Sequence, residues 1–170
     1  MKNPAKVLAA IGLVVGGVLG IVGTMVTQQN LRAISWGIDG AALVAAACLL
    51  AIRYFRKGND CVAAGFLVFA IGEGVMLGGT AGSLAASLPS FAAGTALWAA
   101  GLLLTGVPKE FALWARAASI VGGILFAIVS AKIFWGQPLL PVTKPLPYFA
   151  YPFLVLSFAG WVWTLFKSDR

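Results

Sequence analysis

Six runs of about twenty mostly apolar residues, divided by short polar connections, leave this 170-residue chain few ways to fold. A helix needs roughly 20 apolar residues to cross the hydrocarbon of a bilayer. The runs fall at about 5–26, 31–54, 61–80, 86–105, 111–135 and 148–166. Lipid offers no water to backbone N–H and C=O groups, so a run of this length is read as a helix that satisfies them internally. The fold expected is therefore all-α: one transmembrane helical bundle over 1–170, with no separate soluble domain. Composition agrees. Only 10% of residues are charged and 61% are hydrophobic, whereas a soluble domain carries about 25% charged residues to face water.

The connections are short. Thr27 to Asn30 joins the first two runs, and Arg56 to Asp60 the next pair. The third, about 81–85, is small and uncharged. Pro89 then falls in the first turn of the fourth helix, where a missing N–H costs nothing. Gly106-Val107-Pro108 ends the fourth helix. The longest connection, 136–147, carries Pro138, Pro141, Pro145 and Pro147. Such spacing favours stiff, extended polyproline-like backbone. A loop of this length is either functional, as a lid or docking surface, or a stiff connector.

A net charge of +7 raises the question of nucleic acid. Nucleic-acid binders gather Lys and Arg on one solvated face. Here the basic residues sit at the ends of apolar runs, as in membrane proteins, so no nucleic-acid partner is expected. With the N-terminus inside, Lys2, Lys6, Arg53, Arg56, Lys57, Lys109, Arg116, Lys167 and Arg170 fall on the cytoplasmic side and Arg32, Lys132 and Lys144 outside, nine against three. Both termini are therefore expected in the cytoplasm. Trp36, Trp135, Tyr148 and Tyr151 would mark the outer boundary and Tyr54, Trp114 and Trp163 the inner one, where amphipathic rings prefer to lie. Met1-Lys2 before an apolar stretch resembles a signal peptide, but no small-x-small cleavage site follows, so the segment is read as a retained first helix. Size and this segment point to a bacterial inner membrane.

Four charged side chains lie well inside the runs: Asp39, Glu73, Arg116 and Lys132. A charge near the bilayer centre costs at least about 2.5–3.5 kcal/mol, so such residues face a cavity or a partner. Counted from the ends of their runs, Asp39 and Glu73 both lie roughly 12 Å below the outer face. That predicts two carboxylates at one height on neighbouring helices. Helical side chains tilt toward their own N-terminus. Lys132 is thereby aimed back into the bilayer, where a carboxylate would pair with it, while Arg116 snorkels toward the cytoplasm as an anchor. Gly37 and Gly40 flank Asp39, and Gly72 and Gly74 flank Glu73. Glycine permits close approach or local unwinding, and broken helices expose backbone groups to ions in transporters. The site expected is Asp39, Glu73 and Lys132, binding a proton, a cation or a small polar solute. Its structural counterpart is a buried ion pair or hydrogen-bonded carboxyl that fixes helix register.

Gly12, Gly16 and Gly20 form a GxxxG stripe that lets another helix approach closely. Internal packing is one use. An interface with a second copy or another membrane subunit is the other. Gly74 and Gly78 repeat the spacing. Val15-Gly-Gly-Val-Leu19 in the first run echoes Val121-Gly-Gly-Ile-Leu125 in the fifth, and Gly65 falls about midway, which would make the fold three helical hairpins. Three hairpins with Asp39-Gly40 in an even-numbered helix resemble, in architecture, the HdeD family of six-helix bacterial membrane proteins. Trp98 lies mid-run, as core filler or as the wall of a pocket.

No histidine is present, which removes the commonest general base and metal ligand. Cys48 and Cys61 are too far apart for a CxxC site and are read as small apolar fillers. No nucleophile elbow, phosphate loop or metal motif appears, so no cofactor or metal is expected and catalysis is the third choice. The leading expectation is binding or translocation of an ion or small solute. The alternative is a structural or accessory subunit of a larger membrane complex. The size and six-helix layout also resemble the substrate-binding subunits of energy-coupling-factor transporters. A solute binder should hold a cavity that reaches Glu73. An accessory subunit should have a dry, packed centre.

Overall fold

The computed structural model describes residues 4–80 and 82–167. Among these, every long element is helical: α1 (Pro4–Met25), α2 (Gln29–Arg56), α3 (Asp60–Gly79), α4 (Leu88–Gly106), α5 (Leu113–Phe134) and α6 (Tyr151–Lys167), the last preceded by a 3-10 turn at Tyr148–Ala150. All six stretches are long and apolar enough to cross a membrane. Pro89 sits in the first turn of α4 as expected. Asn59 caps α3, its Oδ1 accepting from the Val62 N–H at 3.3 Å.

Each helix packs on the next in sequence, and α6 returns to α1, so the bundle is a closed ring. Glycine contacts fix the sense of each seam. Gly12 meets Ala42 and Ala46, Gly16 meets Leu43 and Asp39, Gly20 meets Asp39, and Gly23 meets Trp36. The α1 glycine stripe therefore lies along α2, antiparallel to it. Gly65 and Gly101 are reciprocal across α3 and α4, each facing the other's carbonyl. Gly123 faces the Ala99 carbonyl across α4 and α5, and Gly160 faces Ala115 across α5 and α6. Gly40 meets Leu77 between α2 and α3, and Gly17 meets Phe158 between α1 and α6. Every seam is thus served by at least one glycine, and backbones approach closely where apolar packing must hold helices together.

The echoing Gly-Gly pairs take equivalent places. Gly16 faces the following helix α2 and Gly17 the preceding helix of the ring, α6. Gly122 faces α6, which follows α5, and Gly123 faces α4, which precedes it. Gly74 and Gly78 have open space around them and pack against nothing within 4 Å.

The ring's interior has two halves. From one end a continuous column of rings fills it: Tyr54 on Phe66 (5.6 Å between centroids), Phe66 on Trp161 (4.8 Å), Trp161 on Phe69 (5.8 Å), Phe69 on Trp98 (5.7 Å), Trp98 on Phe126 (5.1 Å) and Phe126 on Tyr151 (5.8 Å). Tyr54 is thus a core residue rather than a boundary marker. Seven of the described basic residues (Lys6, Arg53, Arg56, Lys57, Lys109, Arg116 and Lys167) lie at this end, which we call the basic end, against Arg32, Lys132 and Lys144 at the other. Lys2 and Arg170 lie outside the described residues. Arg116 donates to Gly106 O (3.0 Å) and Val107 O (2.8 Å), satisfying carbonyls where α4 ends. Lys57 pairs with Glu110 at 3.3 Å.

The proline-rich connection is not extended. It turns, holds cis bonds at Lys144-Pro145 and Leu146-Pro147, and folds back through Tyr148 N–H to Thr143 O (3.2 Å) and Phe149 N–H to Pro145 O (3.0 Å). Tyr151 donates its hydroxyl to Pro141 O at 2.8 Å, which fastens the loop to α6.

The α1 stripe makes a direct test. A Cβ on Gly12 would stand 2.7 Å from the Ala42 carbonyl and 2.9 Å from Ala46 Cβ, so α2 must move. Gly12→Ala is expected to destabilise the bundle by about 1–3 kcal/mol. Gly74→Ala, with open space around it, should leave the unfolding midpoint in detergent unchanged or raised.

Candidate functional site

Where the aromatic column stops, the other half of the ring encloses a cavity of about 330 Å³. Its walls come from α1 (Gly16, Gly20), α2 (Trp36, Asp39, Leu43), α3 (Glu73, Met76, Leu77), α4 (Ser90, Phe91, Trp98) and α6 (Tyr151, Phe158). The connections contribute Thr27, Gly82, Leu84 and Pro141. Thr27 and Gly82 are exposed, so the cavity is continuous with the surface at this end.

Glycine makes the room. Asp39 is seated over α1 because Gly16 and Gly20 have no side chains. A Cβ at Gly20 would stand 3.0 Å from Asp39 Oδ2, and one at Gly16 3.2 Å from Oδ1. On α3, Gly72 lies against Gly94 O and Trp98 Cδ1, so the residue before Glu73 is pressed onto α4 beside the indole. Both helices run unbroken through their acids. The unwinding that flanking glycines suggested is absent here, because Gly40 and Gly72 are used for helix approach.

Asp39 and Glu73 line this one cavity and lie within electrostatic reach of each other. They are not at the same height. Leu77 packs on Gly40, 3.3 Å from the place of its Cβ, and Glu73 precedes Leu77 by one turn, roughly 6 Å nearer the basic end. Asp39 is half-buried, whereas Glu73 is 3% exposed. Asp39 Oδ1 and Glu73 Oε1 are buried without a hydrogen-bond partner, and so is Trp98 Nε1. Among the described residues no lysine or arginine forms an ion pair with either acid.

Lys132 does not join them. It is exposed on α5 and lines no part of the cavity. The tilt of a helical side chain sets its height but not its direction about the axis. Lys132 follows Ser130, which faces α4 by donating to Ala92 O at 3.0 Å, by about 200° of helical rotation. The cation at the cavity is Arg32, placed in the sequence reading only as an outer basic residue. Its Nε and Nη2 donate to Val26 O at 3.0 and 2.6 Å, where α1 ends and the helix dipole is negative. Trp36 beside it donates Nε1 to Gly20 O at 3.3 Å. Trp98 serves both roles weighed for it, since one face stacks on Phe69 and its edge lines the cavity.

Four of the hydroxyls that line the cavity are committed to backbone carbonyls. Thr24 donates to Ile21 O (2.7 Å), Thr80 to Leu77 O (2.8 Å), Ser87 to Leu84 O (2.8 Å) and Ser90 to Ser87 O (2.8 Å). No group of three or more Asp, Glu, Cys or His stands ready to hold a metal among the described residues. Among the described residues, the buried side-chain atoms of the cavity without a hydrogen-bond partner are Asp39 Oδ1, Glu73 Oε1 and Trp98 Nε1.

No family model matches this chain, and neither a curated protein nor a solved structure matches it. The architectural resemblance to the HdeD family therefore carries no functional argument.

Carboxyl chemistry reads this arrangement directly. An apolar carbodiimide, which enters apolar cavities, should modify Glu73 ahead of Glu110, held by Lys57, and of exposed Asp60. Peptide mass spectrometry checks the order, and labelling of Glu110 first would contradict the cavity described.

Proposed function

We propose that this protein spans a membrane and binds a small cationic solute in the cavity between Asp39 and Glu73, as the binding step of translocation. The observation that carries the reading is a pair of carboxylates in one cavity to which no basic side chain among the described residues is paired. A buried carboxylate with no partner is costly, and its cost is removed by a proton or a bound cation. The structural counterpart, an ion pair that fixes register, finds no cation among the described residues, since Arg32 at the mouth is bound to Val26 O. The cavity reaches the surface beside Thr27 and Gly82, and toward the basic end the aromatic column fills the ring. Passage through the ring would require Trp98, Phe69, Trp161 and Phe66 to part.

The distribution of basic residues supports a cytoplasmic basic end and a cavity that opens outward. A bacterial inner membrane suits that arrangement. The accessory-subunit reading is served less well, because its dry, packed centre describes only the aromatic half of the ring.

Occupancy of the site should shield its acids. Ammonium, potassium or alkylammonium chloride is expected to slow carbodiimide labelling of Glu73, and an equal concentration of a neutral alcohol is not. Equal labelling rates with the salts and with the alcohol would remove the cation-binding reading. For orientation, a fluorescent protein fused after Arg170 should fluoresce, while alkaline phosphatase at the same place should be inactive. Active phosphatase there would reverse the orientation.

A further inference from the structure

The walls of the cavity say more about its ligand than the sign of its charge. A divalent metal needs six or more oxygen ligands, and among the described residues the acids offer no cluster of three while Thr80, Ser87 and Ser90 already donate to backbone carbonyls. An anion would meet two carboxylates, and Arg32 at the mouth is already bound to Val26 O. A polyol would bring many hydroxyls to a wall made mainly of Leu43, Met76, Phe91, Leu154 and Phe158. Two features favour a different molecule. Glu73, 3% exposed, has an oxygen with no partner, and Trp98, 7% exposed, gives the cavity an aromatic wall. An ammonium group carries three donors and no acceptor, which matches carboxylate oxygens. The indole offers an apolar, aromatic surface to whatever frame carries the charge.

Resting on the cation-binding reading above, we infer that the ligand is a primary amine on a compact apolar frame, a single aromatic ring or a branched aliphatic group, rather than an inorganic cation. Its ammonium lies at Asp39 and Glu73. Its frame lies on Trp98, Phe91 and Phe158. A cavity of about 330 Å³ is near the lower bound of small-molecule sites, which excludes long polyamines and favours one charge with one ring.

The test is calorimetric titration of the whole protein in lipid nanodiscs at neutral pH, with empty discs subtracted. The probes are phenethylammonium, ammonium, potassium and phenylacetate. Phenethylammonium is expected to bind at least about tenfold more tightly than ammonium or potassium, and phenylacetate not at all. Glu73→Gln should weaken phenethylammonium by about tenfold or more. Should that variant fail to fold, Asp39→Asn carries the same expectation. Trp98→Leu should weaken phenethylammonium by about fivefold while leaving ammonium binding unchanged, a split that general damage to the fold would not produce. Ammonium or potassium binding as tightly as the aromatic amine, with loss in Glu73→Gln, would overturn the inference and leave the cation site standing. Binding of every cation unaffected by both acid variants would overturn the inference and the cation site together.

Discussion

Helices whose outer faces are as apolar as their inner ones gain little by choosing which face to bury, so close approach must decide the arrangement. Here it does so through glycine. Along α1 the stripe Gly12, Gly16, Gly20 and Gly23 accepts Ala42, Leu43, Asp39 and Trp36 of α2 in turn. The mutual contact of Gly65 and Gly101 brings α3 and α4 to backbone distance. Dispersion between close backbones is the main attraction open to such helices. It also fixes register, because a glycine notch accepts a neighbour at one height only. The positions of both acids follow: Asp39 is seated by Gly16 and Gly20, and Glu73 is carried by a helix whose Gly72 is locked against α4.

The two halves of the interior are filled by different physics. Rings from five helices stack edge and face from Tyr54 up to Trp98, Phe126 and Tyr151, and that half holds no carboxylate in its column. The other half has small residues and acids where the column stops, and packing alone does not fill it. Oxygen atoms without partners are rare in native interiors. Their concentration on one cavity, on two adjacent helices, is the strongest functional statement the molecule makes.

The six helices were legible from apolar run length, and their ends agree within two residues except at α6, where a 3-10 turn precedes the helix. Height in the bundle was partly legible, since counting residues placed Asp39 and Glu73 in the same half. Direction about each helix axis was not. Lys132 has the height of a partner but faces away, and Arg32 reaches the cavity mouth with nothing in the sequence to mark it. The one-turn offset between Asp39 and Glu73 arises from the packing of Leu77 on Gly40, a register that no single run contains. The proline-rich connection read as a stiff strut because spacing shows where prolines fall, not which peptide bonds are cis. Trp98 could be placed mid-helix but not assigned to core or cavity, because it belongs to both.

The ring closes by one joint between helices that are not neighbours in sequence, α1 with α6. It rests on Gly17 against Phe158 and on Lys6 over the Phe166 ring at 4.8 Å, and beside it an apolar groove runs along Leu13, Val18, Val155 and Val162. The other five joints can form as each hairpin leaves the ribosome. The cavity lacks the wall given by Tyr151, Leu154 and Phe158 until the last helix arrives. During synthesis Asp39 and Glu73 therefore wait on the first three helices with one flank bare. The final helix acts as the stave that turns an open trough into a vessel.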